Sequence, residues 1–179
     1  MNKVHIQFYK TRHSEFILGS FDNKLCMLDY KYRTMRTSVD NRIKAGLGAD
    51  FEERDDEVLQ LTRIQLDEYL LGERTEFNIP LLTVGTWFQK QVWNALVKVP
   101  YGKTLSYSEL AKNIDNRKAV RAVAAANGAN AISIIIPCHR IIGSNGELTG
   151  YAGGISVKKT LLKIEGVTNT RLSETIDMF

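Results

Sequence analysis

The chain has 179 residues, 44% hydrophobic and 25% charged, a balance ordinary for a globular protein with one or two small domains. No apolar stretch is long enough to span a bilayer, and Met1-Asn2-Lys3-Val4-His5 lacks the apolar core of a secretory signal, so the expectation is a cytoplasmic protein with no membrane partner. Two cysteines, Cys26 and Cys138, give no disulfide framework, and the net charge of +4 divides unevenly: residues 1–85 hold 12 basic and 14 acidic side chains, residues 86–179 hold 12 and 6. A basic second half suits a polyanionic partner such as nucleic acid.

Residues 1–30 read as strands. Val4, Ile6 and Phe8 alternate with polar residues, and Asp22-Asn23 falls between two apolar runs as a hairpin turn does. Residues 33–56 are highly charged and read as helix fragments or loop. From Asp56 to Leu71, the residues Val58, Leu61, Ile64, Leu66, Tyr69 and Leu70 form a broad apolar face, and Gly72 suits a helix C-terminus. Phe77–Val84, with Pro80, reads as an extended connector at a domain boundary. His5, His13 and Cys26 show no recognisable metal-ligand spacing, so no metal is expected.

The second half opens with helical signals. Thr86-x-x-Gln89 fits a capping box, followed by Phe88, Val92 and Leu96 at helical spacing, and Pro100 and Gly102 end that helix. Ser106-x-x-Glu109 is a second capping box, opening a short helix to about Asn113. Asp115-Asn116 makes a turn, and Asn116 is positioned to cap a third helix to about Asn127, closed by Gly128. Two short helices across a tight turn resemble a helix-turn-helix. In the second, Val120, Val123 and Ala124 share an inward side, while Arg121, Ala122 and Ala125 point elsewhere. One Arg among small side chains suits a shallow, sequence-neutral minor-groove contact better than base reading in the major groove.

Ile134-Ile135-Ile136 then reads as a short buried strand that stops at Pro137. Directly after it come a thiol, an imidazole and a guanidinium: Cys138, His139 and Arg140. Only the thiolate of a cysteine is a good nucleophile. His139 offers a base, and Arg140 adds positive potential that favours the thiolate. Neighbouring side chains of a strand point to opposite faces, so a water-bridged relay from His139 to Cys138 is expected.

Pro137-Cys138-His139-Arg140-Ile141 resembles the active-site motif of the O6-alkylguanine-DNA alkyltransferases, also called methylated-DNA–protein-cysteine methyltransferases. The resemblance runs from about Thr86 to Gly166. It includes Gly128-Ala129-Asn130, Gly150-Tyr151-Ala152-Gly153-Gly154 and Leu161-Leu162-Lys163-Ile164-Glu165-Gly166.

The resemblance implies one-step transfer of an alkyl group from guanine O6, or thymine O4, to Cys138. Glu165 falls where the family's glutamate orients the histidine, and Asn130 where an asparagine braces the active-site turn. Tyr107 matches the tyrosine that protonates the leaving base and contacts the phosphate that rotates as the base flips. Arg121 matches the arginine that fills the space of the extruded nucleotide, with Ala122, Ala125 and Arg140 also expected on the DNA side. Tyr151, Ala152, Gly153, Gly154 and Ile141 are expected to form the base pocket. Ala152 stands where some relatives have Ser, which removes a hydroxyl contact to the base. Lys158 has two readings, a place near the pocket and, as the default, a surface lysine. The thioether product is a poor leaving group, so one turnover per molecule is implied, with no cofactor, by a monomer acting on double-stranded DNA.

The fold expected is α/β. A small N-terminal sheet-plus-helix domain over 1–82 serves as scaffold. A mostly helical C-terminal domain over 83–170 carries the helix-turn-helix and the short buried strand leading to Cys138, and 171–179 is a tail. Two alternatives have discriminating features. A lesion-sensing alkyltransferase-like DNA-binding protein replaces the nucleophile that Cys138 supplies here. A Cys-His-Glu thiol hydrolase needs an oxyanion hole, which no sequence feature marks.

Overall fold

The computed structural model describes residues 1–167; the expected tail at 171–179 lies outside the described residues. The described chain forms two compact units.

The first unit comprises residues 1–86 together with Ala131–Ser133. Strands β1 (Asn2–Lys10), β2 (Glu15–Phe21) and β3 (Lys24–Tyr30) form an antiparallel meander. Asp22 and Asn23 close the β2–β3 hairpin with φ of 50° and 59°, the left-handed pair that a tight two-residue turn requires. Helix α1 (Arg36–Leu47) ends at Gly48 and leads into β4 (Ala49–Glu53), which pairs in parallel with β1 to give the sheet order β3-β2-β1-β4. The sequence reading of 33–56 missed β4. Its residues Ala-Asp-Phe-Glu-Glu are short and acidic, and the strand is held as a sheet edge by β1.

Helix α2 (Glu57–Leu70) matches expectation at both ends. The Asp56 side chain accepts from the Leu59 N–H, and the same carboxylate binds His5 Nδ1 at 2.9 Å and the Ser20 hydroxyl. Gly72 follows with φ 76°. Val4, Ile17 and Met27 of the sheet and Val39 and Ile43 of α1 belong to one core cluster.

The other sheet edge, β3, is covered at two points. Leu25 bonds the connector at Pro80 and Leu82, and Leu28 bonds Ala131 and Ser133. Such covering removes unpaired edge groups that would otherwise template aggregation. Beside Leu28 the fully buried Asp29 accepts from Arg33, Arg36, the Tyr30 N–H and the Ser133 hydroxyl.

The second unit runs over Trp87–Asn130 and onward from Ile134. Helix α3 (Trp87–Val97) buries Val92, Trp93 and Leu96. A two-residue strand β5 (Leu105–Ser106) leads into α4 (Tyr107–Asn113), and the Ser106–Glu109 capping box forms in full. Helix α5 (Val120–Gly128) is pinned to α3 by the Trp93 indole, which donates to the Ala126 carbonyl at 2.9 Å.

The expected cap at Asn116 is not made. The Asn116 N–H bonds back to Ala111 and its carbonyl accepts from Ala119, so Asn116 closes α4, and α5 starts later, at Val120, with Ala119 before it giving no side-chain cap. The expected strand at Ile134–Ile136 is also absent. Ile134 and Ile136 are buried as expected, but Ile134 has φ 72°, outside any extended conformation, and the segment is a turn.

Cys138–Arg140 is one turn of 3₁₀ helix, followed by β6 (Ile141–Ile142), parallel to β5, and then by α6 (Ile155–Ile164). No helix among the described residues is long and apolar enough to cross a membrane.

Candidate active site

The turn that carries Cys138 is braced from within. The Asn130 side-chain amide donates to the Ile136 carbonyl at 2.8 Å, and the Cys138 N–H donates to the same carbonyl at 2.8 Å. Pro137 adds a fixed φ and no donor. Cys138 is 4% exposed, a position that excludes bulk solvent.

His139 and Glu165 are both buried, and His139 Nε2 lies 2.7 Å from Glu165 Oε1. Glu165 stands at the C-terminal end of α6. Its Oε2 accepts from Arg140 Nε at 2.9 Å and from the Gly102 N–H at 3.2 Å, and its Oε1 accepts from a second Arg140 nitrogen at 2.9 Å. A carboxylate so surrounded by donors has no proton to give. Nε2 is therefore the donor toward Glu165, and the lone pair of the imidazole sits on Nδ1. Burial lowers the His139 pKa below its usual value, and Arg140 and Lys158 add to that, against the opposing pull of Glu165. The imidazole is thus neutral at pH 7, as a base must be.

The Gly102 N–H needs a left-handed backbone, with φ 75°, and a Cβ there would lie 2.9 Å from the Glu165 carbonyl oxygen. Tyr101 beside it donates to the Ile164 carbonyl. The chain before β5 thus closes over the end of α6 and holds Glu165 in place.

Arg140 departs from expectation. It is 8% exposed, and its guanidinium is turned inward, held by Glu165 and by the Val99 carbonyl at 2.5 Å. Its charge is also matched by Glu165. The cation nearer to the thiol's needs is Lys158, expected at the surface but fully buried. Its ammonium donates to the carbonyls of Ile141 at 2.6 Å and Thr149 at 3.2 Å. Burial pushes its pKa down to about 8, and charge on Cys138 raises it in opposition. The sequence signal was present but unread: Lys158 precedes the buried Leu161 and Leu162 by three and four residues, on the apolar stripe of α6.

The strand-based reason for a water-bridged relay also changes. In a 3₁₀ turn, consecutive side chains diverge by about 120° rather than pointing to opposite faces.

Tyr107, the first residue of α4, is half-buried, with its hydroxyl 2.8 Å from that of Thr149. Burial raises its pKa, the Thr149 hydrogen bond lowers it, and charge on Cys138 raises it. Tyr151, Ala152 and Gly153 are partly exposed, Gly154 begins α6 with φ 92°, and the Tyr151 ring meets His139 edge-on at 6.5 Å. Ile141 is fully buried in β6, so its side chain belongs to the core and does not line an open pocket. On α5, Arg121, Ala122 and Ala125 are exposed while Val123 and Ala126 are buried.

A thiol on the same short turn as a buried His–Glu pair is an arrangement suited to thiol-based group transfer. Family models place the chain more narrowly. Residues 4–83 match the ribonuclease-like domain of 6-O-methylguanine DNA methyltransferase, and residues 87–167 match its DNA binding domain. The chain belongs to the 6-O-methylguanine DNA methyltransferase family.

It is 58% identical over 102 residues to the methylated-DNA–protein-cysteine methyltransferase of Methanosarcina acetivorans, covering 57% of this chain and 65% of that protein. It is 50% identical over 111 residues to the inducible enzyme of Bacillus subtilis, covering 62% of each. These two matches thus span just under two thirds of either relative. A third, from Methanosarcina mazei, is 48% identical over 122 residues, covering 68% of this chain and 77% of that protein. The structure of Mycobacterium tuberculosis OGT in complex with DNA is similar at TM-score 0.77 and 38% identity, covering 90% of this chain and 92% of that one.

Proposed function

We propose that the protein repairs DNA by direct damage reversal, moving a methyl or larger alkyl group from O6 of guanine, or O4 of thymine, irreversibly to Cys138. The observation that carries this reading is the buried relay His139–Glu165 adjoining Cys138 in a single turn. His139 Nδ1 takes the thiol proton, directly or through water. The Cys138 sulfur forms a bond to the alkyl carbon, the carbon–oxygen bond breaks, and the electron pair stays on the base. Tyr107 gives that base a proton.

The base reaches the site by extrusion from duplex DNA approached through the minor groove by a monomer. Arg121 takes the vacated space, and the exposed Ala122 and Ala125 allow close approach. Extrusion costs a few kcal/mol, which the inserted Arg helps offset. Tyr151 and the backbone of Ala152–Gly154 receive the base.

A thioether is a poor leaving group, so transfer ends the life of the active protein. Excess duplex bearing O6-methylguanine tests this. One equivalent of repaired base per protein, followed by no further turnover, is the expected result. Continued turnover would contradict it.

A further inference from the structure

Thr149 has no part in the chemistry above, yet it touches two of the groups around Cys138. Its hydroxyl lies 2.8 Å from the Tyr107 hydroxyl, across 42 residues of chain. Its carbonyl accepts from the buried Lys158 ammonium at 3.2 Å. Charge on Cys138 acts on both Tyr107 and Lys158. Thr149 therefore joins the candidate acid and the buried cation through one residue of the loop between β6 and α6.

Two hydroxyls at this distance share one hydrogen bond, and each carries a single proton. If Tyr107 donates, its proton is spent on Thr149 and cannot reach a base. If Thr149 donates, the phenol proton is left free for another acceptor. Once that proton has moved, the phenolate can only accept, and the bond from Thr149 becomes charge-assisted and stronger. An interaction that tightens as charge develops speeds the step instead of merely binding the ground state. The surroundings make this useful. Burial and a thiolate at Cys138 both disfavour a phenolate at Tyr107, and Thr149 is the neighbour that favours it.

We propose that Thr149 is a positioning residue for the leaving-group proton: its hydroxyl donates to the Tyr107 phenol oxygen, aims the phenol proton at the departing base and stabilises the phenolate that remains. This rests on the proposed alkyl transfer with Tyr107 as proton donor. In that step the sulfur–carbon bond forms, the carbon–oxygen bond breaks, and the phenol proton goes to the base. Solvent water reprotonates the phenolate once the base has left.

The test compares Thr149→Val, which keeps the shape and loses the donor, with Thr149→Ser, which keeps the donor. Single-turnover transfer from an O6-methylguanine duplex is followed from pH 6 to 10 in the full chain, with DNA affinity and thermal unfolding measured alongside. Thr149→Val is expected to transfer about tenfold more slowly at neutral pH, the scale of one modest hydrogen bond made in the transition state. Its alkaline limb should move to higher pH, its DNA affinity should be unchanged, and Thr149→Ser should restore both rate and profile. In a Tyr107→Phe background, Thr149→Val should add no further loss. A Thr149→Val protein with the wild-type rate and profile overturns the inference, as does an equal loss in the Tyr107→Phe background or a loss that Thr149→Ser fails to restore. If the wild-type protein itself transfers nothing, the functional reading fails; if it transfers and the Thr149 variants are indifferent, only this inference does.

Discussion

His139 and Glu165 face each other at 2.7 Å with both side chains closed to solvent, and Arg140 grips the far edge of the same carboxylate. The histidine's orientation is therefore set by a group that is itself held by three further donors, two from Arg140 and the Gly102 N–H. Glu165→Gln removes the charge and offers Arg140 one acceptor in place of two. Leaving Arg140 buried without its counter-ion costs about 3–5 kcal/mol. Transfer should slow by about 10²- to 10⁴-fold, the range of a lost acid–base contribution. Stopped-flow transfer rates and urea unfolding check the two effects separately.

Burial holds the His139 pKa below 6.5 in the folded chain. Between that lowered value and 6.5, the unfolded chain binds a proton that the native one does not. Stability therefore rises with pH across this window and is lost as pH falls below about 6.5. Urea midpoints measured from pH 5 to 8 should show that slope, and His139→Asn should flatten it.

Lys158 titrates near 8 in the folded chain against 10.5 when free. From pH 8 to 10.5 the unfolded chain holds the extra proton, so this group makes stability rise with pH there, and Lys158→Met should remove the rise. The same substitution takes away a cation that favours the Cys138 thiolate. Modification of Cys138 by iodoacetamide at pH 7 should slow, and an unchanged rate would show that the Lys158 charge does not act on the thiol.

Gly102→Ala forces a Cβ to 2.9 Å from the Glu165 carbonyl at a left-handed φ. The conformational cost alone is about 1–2 kcal/mol. Because the Gly102 N–H also binds the Glu165 carboxylate, transfer should slow together with the loss of stability. Thermal unfolding and single-turnover rates measure both, and unchanged transfer would show that Gly102 does not support the relay.

Much of this arrangement was legible in the sequence because local chemistry decided it. The Asp22-Asn23 turn, the Asp56 cap and the Ser106–Glu109 box each use residues whose preference the fold obeys. The misreadings arose where distant partners overrode local signals. Ile134–Ile136 has strong strand propensity, but Ser133 bonds Leu28 of β3 and the next residue, Ile134, takes φ 72°, outside any extended conformation. Arg140 lies two residues from the thiol in sequence, yet Glu165, 25 residues away, takes its charge. Lys158 looked like a surface residue because a lysine is seldom buried, and only the α6 stripe told otherwise. Nothing local to Thr149 announces Tyr107 as its partner.

The central claim is covalent, so mass is its most direct readout. The protein is incubated with duplex DNA containing O6-methylguanine, in parallel with undamaged duplex and with a Cys138→Ala variant, and then weighed intact and mapped by peptide. The account predicts one added methylene on the Cys138 peptide with the damaged duplex and none in either control. An unmodified Cys138 in a protein that still binds the lesion tightly would contradict it.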